Sequence, residues 1–255
     1  MTLLCDAVDK PAVADAFSRA AHSYDDAAAF QRLSGERLLA CLPADGGRDA
    51  LDVGCGTGYF SRRLTALAYR VTALDLAPGM LAQAQRQRSA QHYLLADMER
   101  LPLATASMDL CFCNLAIQWC ASLPQALAEL MRVTRPGGRV LFATLADGSL
   151  GELDRAWRQV DGRRHVNRFL SVAQIAAACA PYRHRLTPSL ERCHFPDVLA
   201  LMRSLKGIGA THLHDGRQAG LSGRQRLARL AQAYPRDAQG VTLSYQLVIG
   251  ELIRE

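Results

Sequence analysis

The sequence predicts an α/β fold in which a mostly parallel sheet is covered by helices on both faces. Between residues 50 and 145, short apolar segments alternate with amphipathic ones, which is typical of strands joined by crossover helices. The apolar segments are hydrophobic on both faces, as expected for strands buried between two helical layers. In addition, 255 residues of which 49% are hydrophobic suit one compact domain spanning residues 1–255.

The N-terminal region predicts helices, because residues 11–42 carry two apolar stripes at helical spacing. The first stripe contains Val13, Phe17, Ala20 and Ala21, and the second contains Phe30, Leu33, Leu38 and Leu42. The segment PADGGRD at 43–49 then breaks the helical pattern, because it is rich in turn-forming residues.

The central region predicts five strands and three helices. The strands are expected at 50–54, 70–75, 92–97, 108–114 and 139–145, and the helices at 59–68, 78–88 and 122–133. Pro78 suits the first turn of its helix, and Ser122 with Gln125 has the spacing of a capping box. RPGG at 135–138 predicts a turn before the fifth strand.

The C-terminal region has a looser pattern. Helices are expected at 153–160, 172–180, 197–206 and 222–234, and strands at 189–195 and 241–253. Ser222 is a candidate cap for the last of these helices.

The composition narrows the class of protein. The net charge is +6, but the 30 cationic residues, only two of them lysine, form no block of five or six. We therefore expect no nucleic-acid partner. An acidic small substrate or an acidic carrier protein suits the positive net charge equally well.

The eight cysteines include no Cys-x-x-Cys pair, so a zinc or redox site is not indicated. No membrane-spanning run or secretory pattern occurs, and we expect a cytoplasmic protein without a membrane partner.

The segment LDVGCGTGYF at 51–60 is the most specific motif, because a strand runs through three glycines into a helix. Its G-x-G-x-G spacing differs from the G-x-G-x-x-G of dinucleotide sites, and no lysine follows as in a P-loop. Ligands of such sheets bind at the carboxyl ends of the strands. Gly54, Asp75, Asp97 and Asn114 are all predicted at that edge.

This segment resembles motif I of the class I S-adenosylmethionine-dependent methyltransferases, and the resemblance extends over about residues 45–145. It implies a Rossmann-like, seven-stranded sheet with an antiparallel last strand. It also implies an N-terminal helical lid (1–45), a cofactor-binding core (46–146), substrate-side insertions with the sixth strand (147–240) and a closing strand (241–255). The implied cofactor is S-adenosylmethionine, released as S-adenosylhomocysteine, with no metal.

The resemblance also implies a set of cofactor contacts. Asp75 would accept the ribose hydroxyls, and Asp97 would lie at the adenine amine with Met98 beside the ring. The complete implied set is Asp52, Gly54, Cys55, Gly56, Gly58, Asp75, Leu76, Met80, Asp97, Met98, Asn114 and Leu115. As isolated residues, Asp75 and Asp97 would more often be helix caps or solvated strand ends.

Other segments narrow the family. NLAIQWC at 114–120 lacks the Pro-Pro-aromatic sequence of enzymes that methylate base amines. AFSRAAHSYDDAAAFQ, DLCFCNLAIQWC, VNRFL and RSLKGIGATHLH resemble the malonyl-acyl-carrier-protein O-methyltransferases of biotin synthesis. That family methylates the free carboxylate of a malonyl thioester, so the implied partner is acyl carrier protein carrying malonyl-phosphopantetheine, or malonyl-CoA. An ordinary carboxylate is already ionised at pH 7, so the reaction requires positioning rather than a base.

The resemblance suggests three residues near the reacting groups. Tyr24 would contact the methionine end of the cofactor or the substrate, and Gln118 and Trp119 would lie near the acceptor. Packing remains an equal alternative for Trp119, and Phe17 is expected to serve mainly as a core residue.

Arg203 and Lys206 are candidates for holding the anionic end of the substrate. They lie three residues apart on a predicted helix, off its apolar stripe, and therefore share another face. Their target could be the malonyl carboxylate or the phosphate of the carrier, and the simpler alternative is a solvated cationic helix end. His212 and His214 could line the same pocket, but two histidines without an acidic third ligand make a poor metal site.

Several functions remain open at this stage. They are a generic small-molecule O- or C-methyltransferase, an RNA methyltransferase and a non-catalytic S-adenosylmethionine-binding protein.

Overall fold

A computed structural model describes residues 8–43, 48–209 and 223–255. The strands are β1 (Asp49–Val53), β2 (Arg70–Asp75), β3 (His92–Leu95), β4 (Met108–Asn114), β5 (Thr134–Ala146), β6 (Arg183–Phe195) and β7 (Val241–Ile253). The helices are α1 (Lys10–Ala20), α2 (Tyr24–Ala27), α3 (Ala29–Leu39), α4 (Tyr59–Ala66), α5 (Pro78–Arg86), α6 (Leu123–Val133), α7 (Gly151–Asp161), α8 (Val172–Cys179), α9 (Val198–Gly207) and α10 (Gly223–Ala233). A short 3₁₀ helix, Ile117–Trp119, follows β4.

The sheet has seven strands in the order β3-β2-β1-β4-β5-β7-β6. The pairs among β3, β2, β1, β4 and β5 are parallel, and β7 is antiparallel to both of its neighbours. The predicted fold is therefore confirmed, including the antiparallel last strand. Since β1 is followed by β2 on one side and has β4 on the other, the winding reverses between β1 and β4, which opens a crevice at their carboxyl ends.

The sheet has a core on each face. Along β4, Leu110 and Phe112 pack into one cluster, whereas Cys111 and Cys113 pack into the other. This alternation confirms that the central strands are apolar on both faces. All cysteines in the described part of the chain are free. No helix among the described residues is long and apolar enough to cross a bilayer.

The N-terminal helical region is divided into α1, α2 and α3 rather than running through residues 11–42. The prediction that Leu33 belongs to the apolar stripe is wrong, since its exposed fraction is 40%. The buried face of α3 is formed by Phe30, Ser34, Gly35 and Leu38. A Cβ at Gly35 would collide with the ring of Phe60, so α3 packs through its small residues and Leu33 faces outward.

The RPGG segment is part of β5 and does not form the predicted turn. Gly137 has a φ of +80° and shifts the register against β4. The N–H of Gly137 donates to the carbonyl of Arg254 (2.7 Å), and the N–H of Arg254 donates to the carbonyl of Gly138 (3.1 Å). The residues after β7 therefore hold this segment as an irregular strand.

Two strand boundaries and one helix cap also differ from the sequence-based expectation. Strand β3 ends at Leu95, which leaves Asp97 in the following loop, and β6 is longer than predicted because all its residues pair with β7. Ser122 caps α6, but the side chain of Gln125 donates to the carbonyl of Glu99 (3.3 Å), so the capping box is only half formed. Ser222 lies outside the described residues.

Gly58 should be intolerant of a side chain. Its φ is +84°, and a Cβ there would collide with Ser89. We expect Gly58→Ala to lower the free energy of unfolding by roughly 1–3 kcal/mol, measured by urea denaturation, because it adds both backbone strain and a clash. Gly223→Ala is the matched control, since no heavy atom lies within 4 Å of a Cβ at that position. Equal stability of the two variants would contradict this prediction.

Candidate active site

A cavity of about 680 Å³, here called the cofactor pocket, lies at the carboxyl ends of β1, β2 and β4. Most of the predicted cofactor contacts line it, namely Gly54, Gly56, Asp75, Leu76, Met80, Asp97, Met98, Asn114 and Leu115. Asp52 and Cys55 line an adjoining cavity of about 430 Å³, here called the side cavity. Gly58 lines neither cavity and instead begins α4, where it packs against Ser89.

The glycine-rich turn forms the floor between these two cavities. Gly54 and Gly56 have φ values of +69° and +56°, a conformation that glycine adopts without strain. A Cβ at Gly54 would collide with the Cβ of Ala116, whereas the nearest atom to a Cβ at Gly56 is in Tyr24, 3.8 Å away. Gly54 thus allows close packing, and Gly56 leaves space at the pocket.

Asp75 lies at the end of β2 and is buried. Its two carboxylate oxygens accept hydrogen bonds from the N–H groups of Gly56 (2.8 Å) and Ala77 (2.7 Å). Burial raises the pKa of Asp75 to about 6, although these backbone hydrogen bonds oppose the shift. Each carboxylate oxygen can accept further hydrogen bonds from a ligand.

Asp52 is the second buried carboxylate of the site. The hydroxyl of Ser61 donates to it at 2.5 Å, but burial still raises the pKa of Asp52 to about 7. Arg32 is the one cationic residue that lines the side cavity, among the described residues, and it donates to the carbonyl of Asp25 (2.6 Å). Sequence analysis missed Arg32, which lies in an arginine-rich chain and carries no motif.

Asp97 is paired with the first helix of the chain. The ammonium group of Lys10, at the start of α1, contacts the carboxylates of Asp97 and Glu99. Lys10 also lines the cofactor pocket. Sequence analysis missed Lys10 because the residues of this ion pair are far apart in the chain, although it is one of only two lysines.

Asn114 ends β4 and is engaged by α3. Its carboxamide oxygen accepts a hydrogen bond from Ser34 (2.8 Å), and its NH₂ group donates to the carbonyl of Gln31 (2.9 Å). Asn114 therefore anchors α3 to the strand end in addition to lining the pocket. The Oε1 atom of Gln31 is buried and has no hydrogen-bond partner in the described part of the chain.

Helices α1 and α2, here called the lid helices, contribute aromatic side chains to the pocket. Phe17 meets Trp119 edge to face, with ring centroids 5.3 Å apart, so Trp119 does have a packing role. Tyr24 lines the cofactor pocket and the side cavity. Burial, with Asp75 and Asp25 nearby, raises the pKa of Tyr24, so its hydroxyl stays protonated.

A second large cavity of about 740 Å³, here called the acceptor chamber, adjoins the cofactor pocket. The two cavities share the residues Phe17, Tyr24, Leu115 and Trp119. Gln118 lines the chamber and is oriented by donating to the carbonyl of Leu115 (2.8 Å). Its Oε1 atom accepts a hydrogen bond from Thr144 at 3.4 Å.

His165 lines the acceptor chamber and was missed by sequence analysis. Its Nε2 atom lies 3.0 and 2.9 Å from the two carboxylate oxygens of Asp161. Arg226 donates to the same carboxylate at 2.5 Å. The imidazole also packs on Trp157, with ring centroids 4.4 Å apart. The nearby VNRFL motif was noted in the sequence, but only for family resemblance.

Arg203 and Lys206 lie on α9 with exposed side chains, and neither lines the cofactor pocket or the acceptor chamber. The apolar stripe of α9 is confirmed, since Val198, Leu201 and Leu205 are buried. His212 and His214 lie outside the described residues.

The residues around these cavities fit S-adenosylmethionine. Two buried carboxylates lie beside a glycine turn that leaves room at Gly56, and the buried Oε1 of Gln31 has capacity for a donor. Arg32, the cationic residue of the side cavity, can pair with a carboxylate of the ligand. This set matches a ligand with a ribose, an ammonium and a carboxylate group.

Comparisons with known proteins agree with this geometry. Residues 51–142 match the family model described as a methyltransferase domain. The chain is 60% identical over 255 residues to malonyl-acyl-carrier-protein O-methyltransferase of Serratia marcescens, covering all of both chains. It is 56% identical to the protein of the same name from Pectobacterium atrosepticum, covering 99% of this chain and 100% of that protein. A solved structure from Bacillus halodurans, described as a candidate methyltransferase, shares the fold with a TM-score of 0.62 and 14% identity, covering 85% of this chain and 96% of that chain.

The raised pKa of Asp52 predicts how stability depends on pH. A carboxyl whose pKa is higher in the folded state destabilises the fold as the pH rises from about 4 to about 7. We expect Asp52→Asn, which stays neutral, to unfold at a higher urea concentration than the wild type at pH 8. The difference should be on the order of 4 kcal/mol and should shrink toward pH 4.

Asp109→Asn is the control, and its effect on stability at pH 8 should be opposite to that of Asp52→Asn. Although burial alone would raise the pKa of Asp109, hydrogen bonds from Asp49, Arg135 and Arg48 hold it below the ordinary value. Ionised Asp109 therefore stabilises the fold at pH 8, and its replacement should lower stability there. If Asp52→Asn were less stable than the wild type at pH 8, the prediction that ionised Asp52 destabilises the fold would be wrong.

Proposed function

Because the chain belongs to the family of malonyl-acyl-carrier-protein O-methyltransferases, we propose that it methylates the free carboxylate of a malonyl thioester. The chain is an S-adenosylmethionine-dependent O-methyltransferase, and its product is the malonyl methyl ester. The observation that carries the proposal is the pair of adjoining cavities. A cofactor pocket rimmed by carboxylates shares a wall with a chamber whose described lining contains no carboxylate.

The contacts to the cofactor follow from the family pattern at the strand ends and from the charges in the side cavity. Asp75 accepts the ribose hydroxyls, and Asp97 with Met98 lies at the adenine. In the side cavity, Asp52 meets the ammonium and Arg32 meets the carboxylate of the methionine moiety. Asp25 also lines this cavity, but its carboxylate already accepts a hydrogen bond from Thr57 (2.6 Å). When bound, S-adenosylmethionine supplies an electrophilic methyl group on a sulfonium.

The residues of the chain position the acceptor rather than deprotonate it. An ordinary carboxylate is ionised at pH 7, so no residue has to remove a proton. Tyr24 and Gln118 supply hydrogen bonds at the junction of the two cavities, and Trp119 closes the wall between them. The lid helices exclude water, and water exclusion favours a step in which opposite charges are lost.

Arg203 and Lys206 interact with the carrier in this proposal. Their exposure on α9 favours the phosphate of the pantetheine arm or the acidic surface of acyl carrier protein over the malonyl carboxylate. Coenzyme A would offer phosphates to the same residues, and acyl carrier protein is the partner named for the curated relatives.

The acceptor is tested directly with labelled S-adenosylmethionine. We expect rapid transfer of label to malonyl-acyl carrier protein, in a base-labile form, because the product is an ester. Malonyl-CoA, simple phenols and bulk tRNA are offered in parallel. Base-stable label in tRNA, with none in either malonyl thioester, would overturn the proposal in favour of an RNA methyltransferase. Label confined to phenols would favour a small-molecule enzyme.

The role of α9 is tested by charge removal. The double variant Arg203→Ala/Lys206→Ala should raise KM for malonyl-acyl carrier protein by roughly three- to tenfold at low salt, with a smaller effect at high salt. KM for a malonyl thioester without a carrier should not change. Arg86→Ala, an exposed cation on α5, is the control. Unchanged kinetics with the carrier would show that both side chains are only solvated.

A further inference from the structure

We propose that His165 recognises the charge of the acceptor and so selects a free carboxylate over its neutral ester. The inference rests on the proposed function and identifies a specificity-determining residue within the acceptor chamber. The polar side chains of the chamber wall belong to Tyr24, Gln31, Gln118, His165, Asn167 and Tyr245. Among the described residues that line the chamber, only His165 can carry a positive charge.

The contact with Asp161 fixes the tautomer of His165. Both oxygens of the Asp161 carboxylate face Nε2 at about 3 Å, and Nη2 of Arg226 lies farther from the same atom, at 3.5 Å. Because the two shorter contacts are to an acceptor-only carboxylate, Nε2 carries a proton. Nδ1 is then the second ring nitrogen, and it can donate to an anion only when the ring is positively charged. An anion in the chamber therefore favours the imidazolium, and a neutral ester does not.

His165, Asp161 and Arg226 form a cluster whose net charge can balance one carboxylate. Asp161 at the end of α7 is paired with Arg226 from α10, and the guanidinium of Arg226 lies over the ring of Trp157. The adjacent Arg164 lies 3.8 Å from Asp154. The Asp161–Arg226 pair is neutral, so a protonated His165 gives this cluster one net positive charge, opposite one malonyl carboxylate. Arg158 and Arg164 share the single carboxylate of Asp154, outside the lining of the chamber.

The same arrangement suits the release of a neutral product. Methyl transfer removes the negative charge of the acceptor, but the imidazolium keeps Asp161 as a partner and is not left unpaired. His165 holds the charged ground state more strongly than the less charged transition state. Its loss should therefore raise KM and weaken selectivity, and it should not lower kcat.

The test compares the wild type with His165→Gln on two acceptors, malonyl-acyl carrier protein and a short malonyl thioester that lacks the carrier. KM for both acceptors should rise roughly tenfold or more, as expected for loss of a hydrogen bond between charged groups. The inhibition constant of the product, the neutral methyl ester, should not change. His92→Gln, an exposed histidine at the start of β3, is the control and should match the wild type.

A second variant separates recognition from packing. Asp161→Asn removes the carboxylate that orients the ring of His165, so KM for both malonyl acceptors should rise while the inhibition constant of the neutral methyl ester stays unchanged. Asp161→Asn also keeps the inference testable if the glutamine substitution impairs folding.

Two results would overturn the inference. A parallel increase in KM and in the product inhibition constant would assign His165 to packing between α7 and α10. Wild-type kinetics in the variant would exclude any contact with the acceptor. Neither result concerns the proposed function, which fails only if the wild-type protein methylates no malonyl thioester.

Discussion

The site depends on the close approach of the turn after β1 to the segment after β4. Gly54 has no room for a Cβ beside Ala116, and Leu115 adopts a φ of +52°, which a leucine takes up only under strain. Such strain persists where the surrounding structure enforces it. Here the N–H of Leu115 donates to the carbonyl of Ala143 at 2.9 Å. Leu115 thereby lies on the wall that the cofactor pocket shares with the acceptor chamber.

The lid helices are fixed to this frame at widely separated points. Lys10 contacts Asp97 and Glu99, and Ser18 accepts a hydrogen bond from the N–H of Gly79 at 3.1 Å. On the other side, Ser23 donates to the carbonyl of Gly207 at 3.2 Å, where α9 ends. The helix that carries Arg203 and Lys206 therefore touches the helices that cover the cofactor pocket.

The two cavities differ in charge. The cofactor pocket and side cavity contain buried carboxylates whose pKa values are raised by burial, which suits a cationic cofactor. The acceptor chamber has no carboxylate in its described lining, and His165 is the one residue of that lining that can carry a positive charge. Placing an anion against the sulfonium and away from Asp52 and Asp75 keeps like charges apart, which matters most where water is excluded. This division of charge supports the proposal that cofactor and acceptor occupy separate cavities.

The sequence by itself determined the alternation of strands and helices, because local periodicity reflects which faces are buried. It also predicted the residues at the strand ends, such as Asp75 and Asn114, because parallel strands bring their carboxyl ends to one edge. Only the tertiary structure decided which partners those residues meet. Lys10 with Asp97 and Arg226 with Asp161 join positions 87 and 65 residues apart, and no local pattern encodes such contacts. The same holds for Arg203, whose helix position was predictable, whereas its distance from the chamber depends on how α9 packs against the sheet and the lid.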